Sequence, residues 1–467
     1  MHATRPVTAP GGVPLLGHLP ALLTRPLAFL DALPGCGDPV RVRVGPREMY
    51  VVSEPELVQR VLADRTAYDR TGPLYAKIRA FLGNGLASCP HADHRRLRRI
   101  VQPAFQRALL PHYAAAMTDE AAALTAGWRA GQVVDVTREA FRLTTAVAVR
   151  TLFSAGLPPR AAEDLRGALD VLLRGIYLRV VLPAADLLPT PARRAYRRAL
   201  ATWHAGVATI IADYRARGID RGDVLSLLLA ARDEDGRSLG ERELADQVAT
   251  LVLAGAETTS SALAWSLRLV AEHPDVERRL HAELDAGAAA GPHAGPGAGP
   301  GVGPAGAPAR WQDLPQLPYT ARVISETLRL YPPAWAISRT TTRPTELGGA
   351  RLPAGALVVC CLYLLQRRPE LFPDPERFDP DRFDPDRSAG APPRGAYLPF
   401  GSGATKCLGD RFGLTEAVLA LATVAGRWRL RPVGPGPVRP VPRLVLSPGP
   451  QPMLLSERAG RVSGPAG

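Results

Sequence analysis

The chain has 467 residues, 46% of them hydrophobic, which is enough to bury a sizeable core and excludes wholesale disorder. Its 57 basic residues against 44 acidic ones give a net charge of +13. The arginines are interleaved with acidic residues rather than gathered into basic tracts with aromatic platforms, so nucleic-acid binding is not expected, whereas an acidic protein partner suits the charge.

The cysteines (Cys36, Cys89, Cys360, Cys361 and Cys407) are odd in number and irregularly spaced, as in a reduced chain rather than a disulfide scaffold. Cys360 and Cys361 are adjacent and should face opposite sides of a strand. The opening MHATRPVTAPGGVPLLGHLP is broken by proline and glycine and lacks the apolar stretch of a signal peptide. The longest apolar run, Ala356 to Leu365, has ten residues, short of the roughly 18 that a membrane span needs. A cytoplasmic protein without a membrane anchor is expected.

The first forty residues are a lead-in punctuated by proline and glycine. VRVRV (Val40 to Val44), the turn pair Gly45-Pro46 and MYVVS then alternate as a β-hairpin does. SEPELVQRVLAD predicts a helix with Ser53 as N-cap and Glu56 three residues on, a capping box. From about Pro111 to Ala231 the pattern is helical.

The longest helix is expected from about Glu241 to His273, where Pro274 stops it. At ~1.5 Å per residue it would be about 50 Å long. Its apolar residues are not confined to one stripe, which predicts burial all round. Residues 286–309 are a Gly/Ala/Pro low-complexity stretch, read as a solvated surface insertion. Strand-like and helical signals resume after it, ending in the loop FGSGATKCLGD and a final helix, LTEAVLALATVAGRW. The fold class is mainly α with small β regions, in one domain over residues 1–467 that the insertion interrupts.

Two stretches carry chemistry. In FGSGATKCLGD, Gly401, Gly403 and Gly409 allow tight turning and close approach to a flat object. The helix that follows Cys407 favours a thiolate there, and such a thiolate suits a metal ligand. Zinc is disfavoured, since no second cysteine or histidine stands at ligand spacing. In AGAETT, Ala254 to Thr259, a glycine, a carboxylate and two threonines interrupt a helix that should be buried. Several local faults at one point mark a functional site.

The cysteine loop resembles the haem-binding loop of cytochromes P450, Phe-x-x-Gly-x-Arg-x-Cys-x-Gly, with Phe400, Gly403, Cys407 and Gly409 matching. The resemblance implies haem b, with Cys407 as the thiolate ligand of its iron and Phe400 packed beside the sulfur. Thr405 departs from it, standing where the family carries a basic residue paired with a haem propionate. AGAETT is similar to the family's oxygen-activation groove. There Gly255, after Ala254, would let the helix open, Thr258 would hydrogen-bond dioxygen or a water, and Glu257 would relay protons.

Further matches follow family order. Glu326 and Arg329 of ETLR, with Arg377, resemble the Glu–Arg–Arg network that supports the cysteine loop. His94 and Arg98, four apart, and Arg339 resemble propionate-binding residues, and the two arginines would supply what Thr405 does not. Gln366 stands where a histidine is common, with no consequence assigned.

The resemblance implies a monooxygenase that inserts one atom of dioxygen into a C–H bond or an alkene and reduces the other to water. No flavin fingerprint or iron–sulfur cysteine set is present, so electrons from NAD(P)H would arrive through ferredoxin reductase and ferredoxin. Lys406 and Arg411 are candidate docking residues. By the same resemblance the substrate pocket draws on Tyr75, Leu86, Leu253, Ala334, Trp335, Ala336 and Leu444. These are apolar choices, with Arg79 as the cation that a carboxylate substrate would need. The combination points to actinobacterial secondary metabolism, with a terpenoid hydrocarbon as the leading substrate and a fatty acid or polyketide next. A haem-binding sensor or carrier is the non-enzymatic alternative, against which AGAETT speaks.

Overall fold

The hairpin forms as its alternation predicts: β1 (Val40–Val44) pairs antiparallel with β2 (Arg47–Val52) across the Gly45 turn, where φ is +58°. The structure, a computed structural model, describes residues 6–153, 159–217, 223–289, 306–387, 392–434, 436 and 438–458. The hairpin is the edge of a five-stranded sheet that adds β3 (Tyr68–Asp69), β4 (Ala336–Thr341) and β5 (Leu357–Cys361) in the order β1-β2-β5-β4-β3. Only the β2–β5 pairing is parallel. Cys360 and Cys361 do face opposite ways, each into a different apolar cluster, and burial pushes both thiols up to about 12.

The helix after β2 starts one residue later than its capping box predicts. Glu54 is the N-cap and Pro55 the first helical residue, a position where a fixed φ and a missing N–H are harmless. Ser53 instead turns inward, its N–H and hydroxyl donating to Asp38 Oδ2 at 2.7 and 3.0 Å.

Helices supply most of the rest. The long helix spans Glu241–Glu272, with His273 as C-cap before Pro274. It lies against the helix Val136–Phe153 on one side and the C-terminal helix Asp410–Arg427 on another, inside the largest apolar cluster. Its burial is not all round. Ala254 is exposed, and Gly255, Glu257 and Thr258 are partly so, because this stretch borders an internal cavity. The low-complexity insertion lies largely outside the described residues. The helix before it ends at Ala289, and the chain is described again by Ala309, which is buried and bonded to Thr118 and Thr423.

Candidate active site

Three structural pieces converge on a cavity of about 380 Å³: one face of the long helix, strand β4 with the turn before it, and the loop Phe400–Gly409. On the long helix the lining residues are Thr250, Leu251, Ala254, Gly255, Thr258, Thr259 and Ala262, the three-and-four spacing of one helix face. Leu253 falls off that stripe and is buried in the core instead. Of the other residues expected at the pocket, Tyr75, Leu86 and Ala334 line the cavity. Trp335, Ala336 and Leu444 do not. The Trp335 indole packs away from it and donates to Arg443 O at 3.0 Å.

The cysteine loop is built around two left-handed glycines, Gly401 and Gly403, both at φ +68°. A Cβ on Gly403 would also sit 3.1 Å from Leu62 O. Gly409 differs: its φ is −93° and a Cβ there would meet nothing nearer than Phe105 at 3.8 Å, so the backbone does not demand glycine. The Cys407 N–H donates to Phe400 O at 2.9 Å, folding the loop under the sulfur. The Cys407 side chain is exposed into the cavity. Burial by the loop pushes its thiol above the usual range, against the Gly409 N–H and the charges of Arg98 and Lys406. A metal ion bound by this sulfur would hold it as a thiolate.

AGAETT lies within the long helix. A Cβ on Gly255 would stand 3.2 Å from Ala148 Cβ, so this glycine lets the helix Val136–Phe153 pack closely. The Thr144 hydroxyl of that helix donates to Ala256 O at 2.6 Å. Thr258 donates to Ala254 O at 2.7 Å. Glu257 lies just off the lining stripe, with no side-chain hydrogen bond among the described residues. Burial pushes its carboxyl up to about 7; Arg443 pulls it down and Asp170 adds to the rise.

The Glu326 helix (Pro318–Leu330) anchors the loop from behind. Glu326 and Arg329 are both fully buried and form a two-bonded pair, 2.7 and 2.8 Å. All five N–H bonds of Arg329 are used, the other three going to the carbonyls of Gln366, Pro375 and Arg377. Arg377 thus contributes a backbone oxygen, while its side chain is exposed. The second arginine to reach Glu326 is Arg382, at 3.3 Å. Gln366 proves central. Its amide donates to Leu328 O and Arg329 O and accepts from Leu398 N, each at 2.9 Å, tying this helix to the strand of chain entering the cysteine loop.

Cations crowd one part of the lining: Arg70, Arg98, Arg339 and, uncharged, His94, whose pKa falls to about 3 through burial and the nearby arginines. Arg339 bonds Tyr75 OH at 3.1 Å and Thr405 Oγ1 at 3.0 Å, so Thr405 is engaged with the arginine meant to compensate for it. Arg98 donates to Lys406 O at 2.8 Å. Arg79 does not line the cavity; it holds the carbonyls of Arg70 and Ser88. Sequence reasoning missed Arg70, and also Glu416, a fully buried carboxyl on the C-terminal helix pushed well above the usual range with only Thr259 acting against it. Its signal was a lone acid in the apolar run LTEAVLALATV.

A haem group fits these residues. The buried Nε atoms of Arg70 and Arg339 have no acceptor among the described residues, and two propionates would provide one each. The Cys407 sulfur faces the same space, and no cluster of three or more metal-ligating side chains exists among the described residues.

Residues 8–455 match the family model described as Cytochrome P450, and the chain belongs to that family. It is a cytochrome P450 monooxygenase, which takes a haem-thiolate cofactor, small-molecule substrates and redox partners. It is 45% identical to cyclooctatin synthase of Streptomyces melanosporofaciens, over 97% of this chain and 96% of that protein. It is 44% identical to cyclooctat-9-en-7-ol 5-monooxygenase of the same organism, over 97% and 95%. Pentalenene oxygenase of Streptomyces avermitilis is 42% identical over 93% of each chain. No helix among the described residues is long and apolar enough to cross a membrane.

Proposed function

We propose that the chain is a cytoplasmic haem b monooxygenase of secondary metabolism that oxygenates a cyclic terpenoid. One observation carries the choice of substrate. Apart from the cations grouped around Arg339 and Thr405, and hydroxyls such as Thr151 and Thr250, the lining is apolar, and Arg79 is spent on backbone carbonyls. Such a wall suits a hydrocarbon and leaves a fatty-acid carboxylate without a partner at Arg79. The names of the relatives agree with it.

Cys407 would hold the iron, and Arg98, Arg339, His94 and Thr405 the propionates. Haem bound there supplies dioxygen activation, which the electron donation of a thiolate favours. The protein's own contribution is proton handling. With a pKa near 7, Glu257 is a usable acid and a usable base at working pH. Thr258 lines the cavity and would hand the reacting oxygen a proton that Glu257 supplies from just outside it. The balance is one C–H bond, one dioxygen, two electrons and two protons giving one alcohol and one water.

The test is a binding and turnover panel of cyclic terpenes, fatty acids and macrolides with ferredoxin, ferredoxin reductase and NADPH. Oxygenated product from cyclic terpenes is expected; turnover confined to fatty acids or macrolides would overturn the substrate reading. The ferredoxin is expected to dock near Lys406 and Arg411, which are exposed beside the cysteine loop. Replacing both by glutamate should slow reduction several-fold without changing substrate affinity, and unaltered reduction kinetics would remove them from the interface.

A further inference from the structure

We infer that Gln247 and Thr250 form a polar niche for a hydroxyl or carbonyl oxygen already carried by the substrate, so that the enzyme acts on an oxygenated cyclic terpenoid in preference to the parent hydrocarbon. The inference deepens the terpenoid reading above and rests on it.

The two residues stand one turn apart on the long helix, in the row that continues through Ala254 and Thr258. They are 0% and 3% exposed. Thr250 lines the cavity, yet its hydroxyl has no hydrogen-bond partner among the described residues. A threonine in a helix commonly donates to the carbonyl one turn back. Thr151 and Thr258, on the same lining, do so at 2.8 and 2.7 Å. Thr250 does not. Gln247 uses only half of its amide. Its Oε1 accepts from the N–H of Leu86, another lining residue, at 2.9 Å. That bond fixes which way the amide points, because a flipped amide would set two donors against each other. Nε2 is left buried, with no acceptor among the described residues.

The loop opposite leaves this corner open. A Cβ on Gly85 would stand 1.8 Å from Thr250 Oγ1, so any other residue there would fill the space beside the hydroxyl. The loop is also tied down. The Asn84 N–H donates to Asp246 Oδ2 at 2.8 Å, and Arg70 donates to Leu86 O at 3.0 Å. Buried donors without acceptors are costly, and one ligand oxygen would serve both residues. Both are neutral, which suits a hydroxyl or a carbonyl. The apolar wall would take the hydrocarbon skeleton and the niche its oxygen.

Spacing along the helix adds a second consequence. Thr250 precedes Thr258 by eight residues, about 12 Å along the axis. With Thr258 beside the reacting oxygen, the oxygen held in the niche belongs to the end of the skeleton remote from the C–H bond attacked. Such a substrate must come from an earlier hydroxylation, or from a cyclisation ended by capture of water.

The test offers each cyclic terpene of the panel both as the hydrocarbon and as a monohydroxylated alcohol, with dissociation constants read from binding spectra. Turnover of neither form refutes the terpenoid reading, and this inference falls with it. The wild type is expected to bind the alcohol at least about tenfold more tightly. Hydrocarbons bound as tightly as their alcohols would leave the terpenoid reading standing and overturn the niche. Thr250→Val keeps the shape and removes the hydroxyl, and should cut the preference several-fold, as should Gln247→Met; Thr250→Ser should keep it. A preference unchanged in Thr250→Val would mean that the niche holds only a buried water, which also overturns the assignment. If the variants do not fold, the wild-type product decides. The new hydroxyl is expected at the end of the skeleton away from the existing oxygen, and a vicinal diol would contradict the geometry.

Discussion

Glu326 and Glu257 are both glutamates set in buried helices, and the protein treats them in opposite ways. Burial pushes both carboxyls above the usual range. Around Glu326 the structure answers with a two-bonded Arg329, the Asp379 N–H and Arg382. Around Glu257 it offers only the charge of Arg443, and no hydrogen bond to the side chain among the described residues. A buried carboxyl engaged by four donors, two of them from one arginine, serves as a structural tie. One left without partners near neutrality is free to exchange its proton. The same residue type thus becomes a structural fixture or an acid–base group according to how completely its neighbours satisfy it.

Making one chemical change at both sites breaks the comparison if it is wrong. Glu326→Gln strands the buried Arg329 without its counter-charge and should destabilise the protein by about 3–5 kcal/mol, seen as a lowered unfolding midpoint and poor haem retention. An unchanged midpoint would mean that the pair is not a structural tie. Glu257→Gln should fold normally and lose about 10²-fold in product formation. A normal turnover rate would remove Glu257 from proton delivery.

The pH dependence sharpens the contrast. The folded pKa of Glu257 lies above its unfolded value near 4.5, so its contribution to stability is fully present below that value and is lost as pH rises towards about 7. Glu257→Gln should therefore be stabilising relative to wild type at pH 8 but not at pH 4, as read by thermal unfolding at the two pH values. The smallest effect separates two neighbouring arginines. Arg382→Ala should cost about 1.5–3 kcal/mol as a lost bond to a buried charge, while Arg377→Ala stays within about 0.5 kcal/mol. Equal losses at the two positions would show that the Glu326 network is not held by the Arg382 side chain.

Much of the cavity lining was readable in the residues: His94, Arg98, Thr258, Arg339, Phe400, Thr405 and Cys407, singled out by motif spacing, all line it. Regular elements were readable too: the long helix ends one residue from its expected stop. The failures have physical causes. Arg377 and Arg382 are five apart in irregular chain without a period, so nothing in PERFDPDRF says which side chain folds back. Gln366 and Arg70 act through carbonyls and charges that become neighbours only on folding. The close packing at Gly255 involves a helix more than a hundred residues earlier in the chain, which no local pattern announces. The substrate wall was the least legible part, since apolar residues exchange freely and four of the seven expected lining positions fall elsewhere.

Tyr75 belongs to both halves of the site. Its ring lines the cavity and its hydroxyl holds Arg339. Most of the wall can diverge to admit a new substrate while the prosthetic group stays in place. At Tyr75 that freedom is missing, because any change that reshapes the pocket also withdraws a support from the arginine behind it. Selection for a new substrate through this position should therefore arrive with weaker haem retention, and second-site changes that restore it should collect around Arg339 and Thr405.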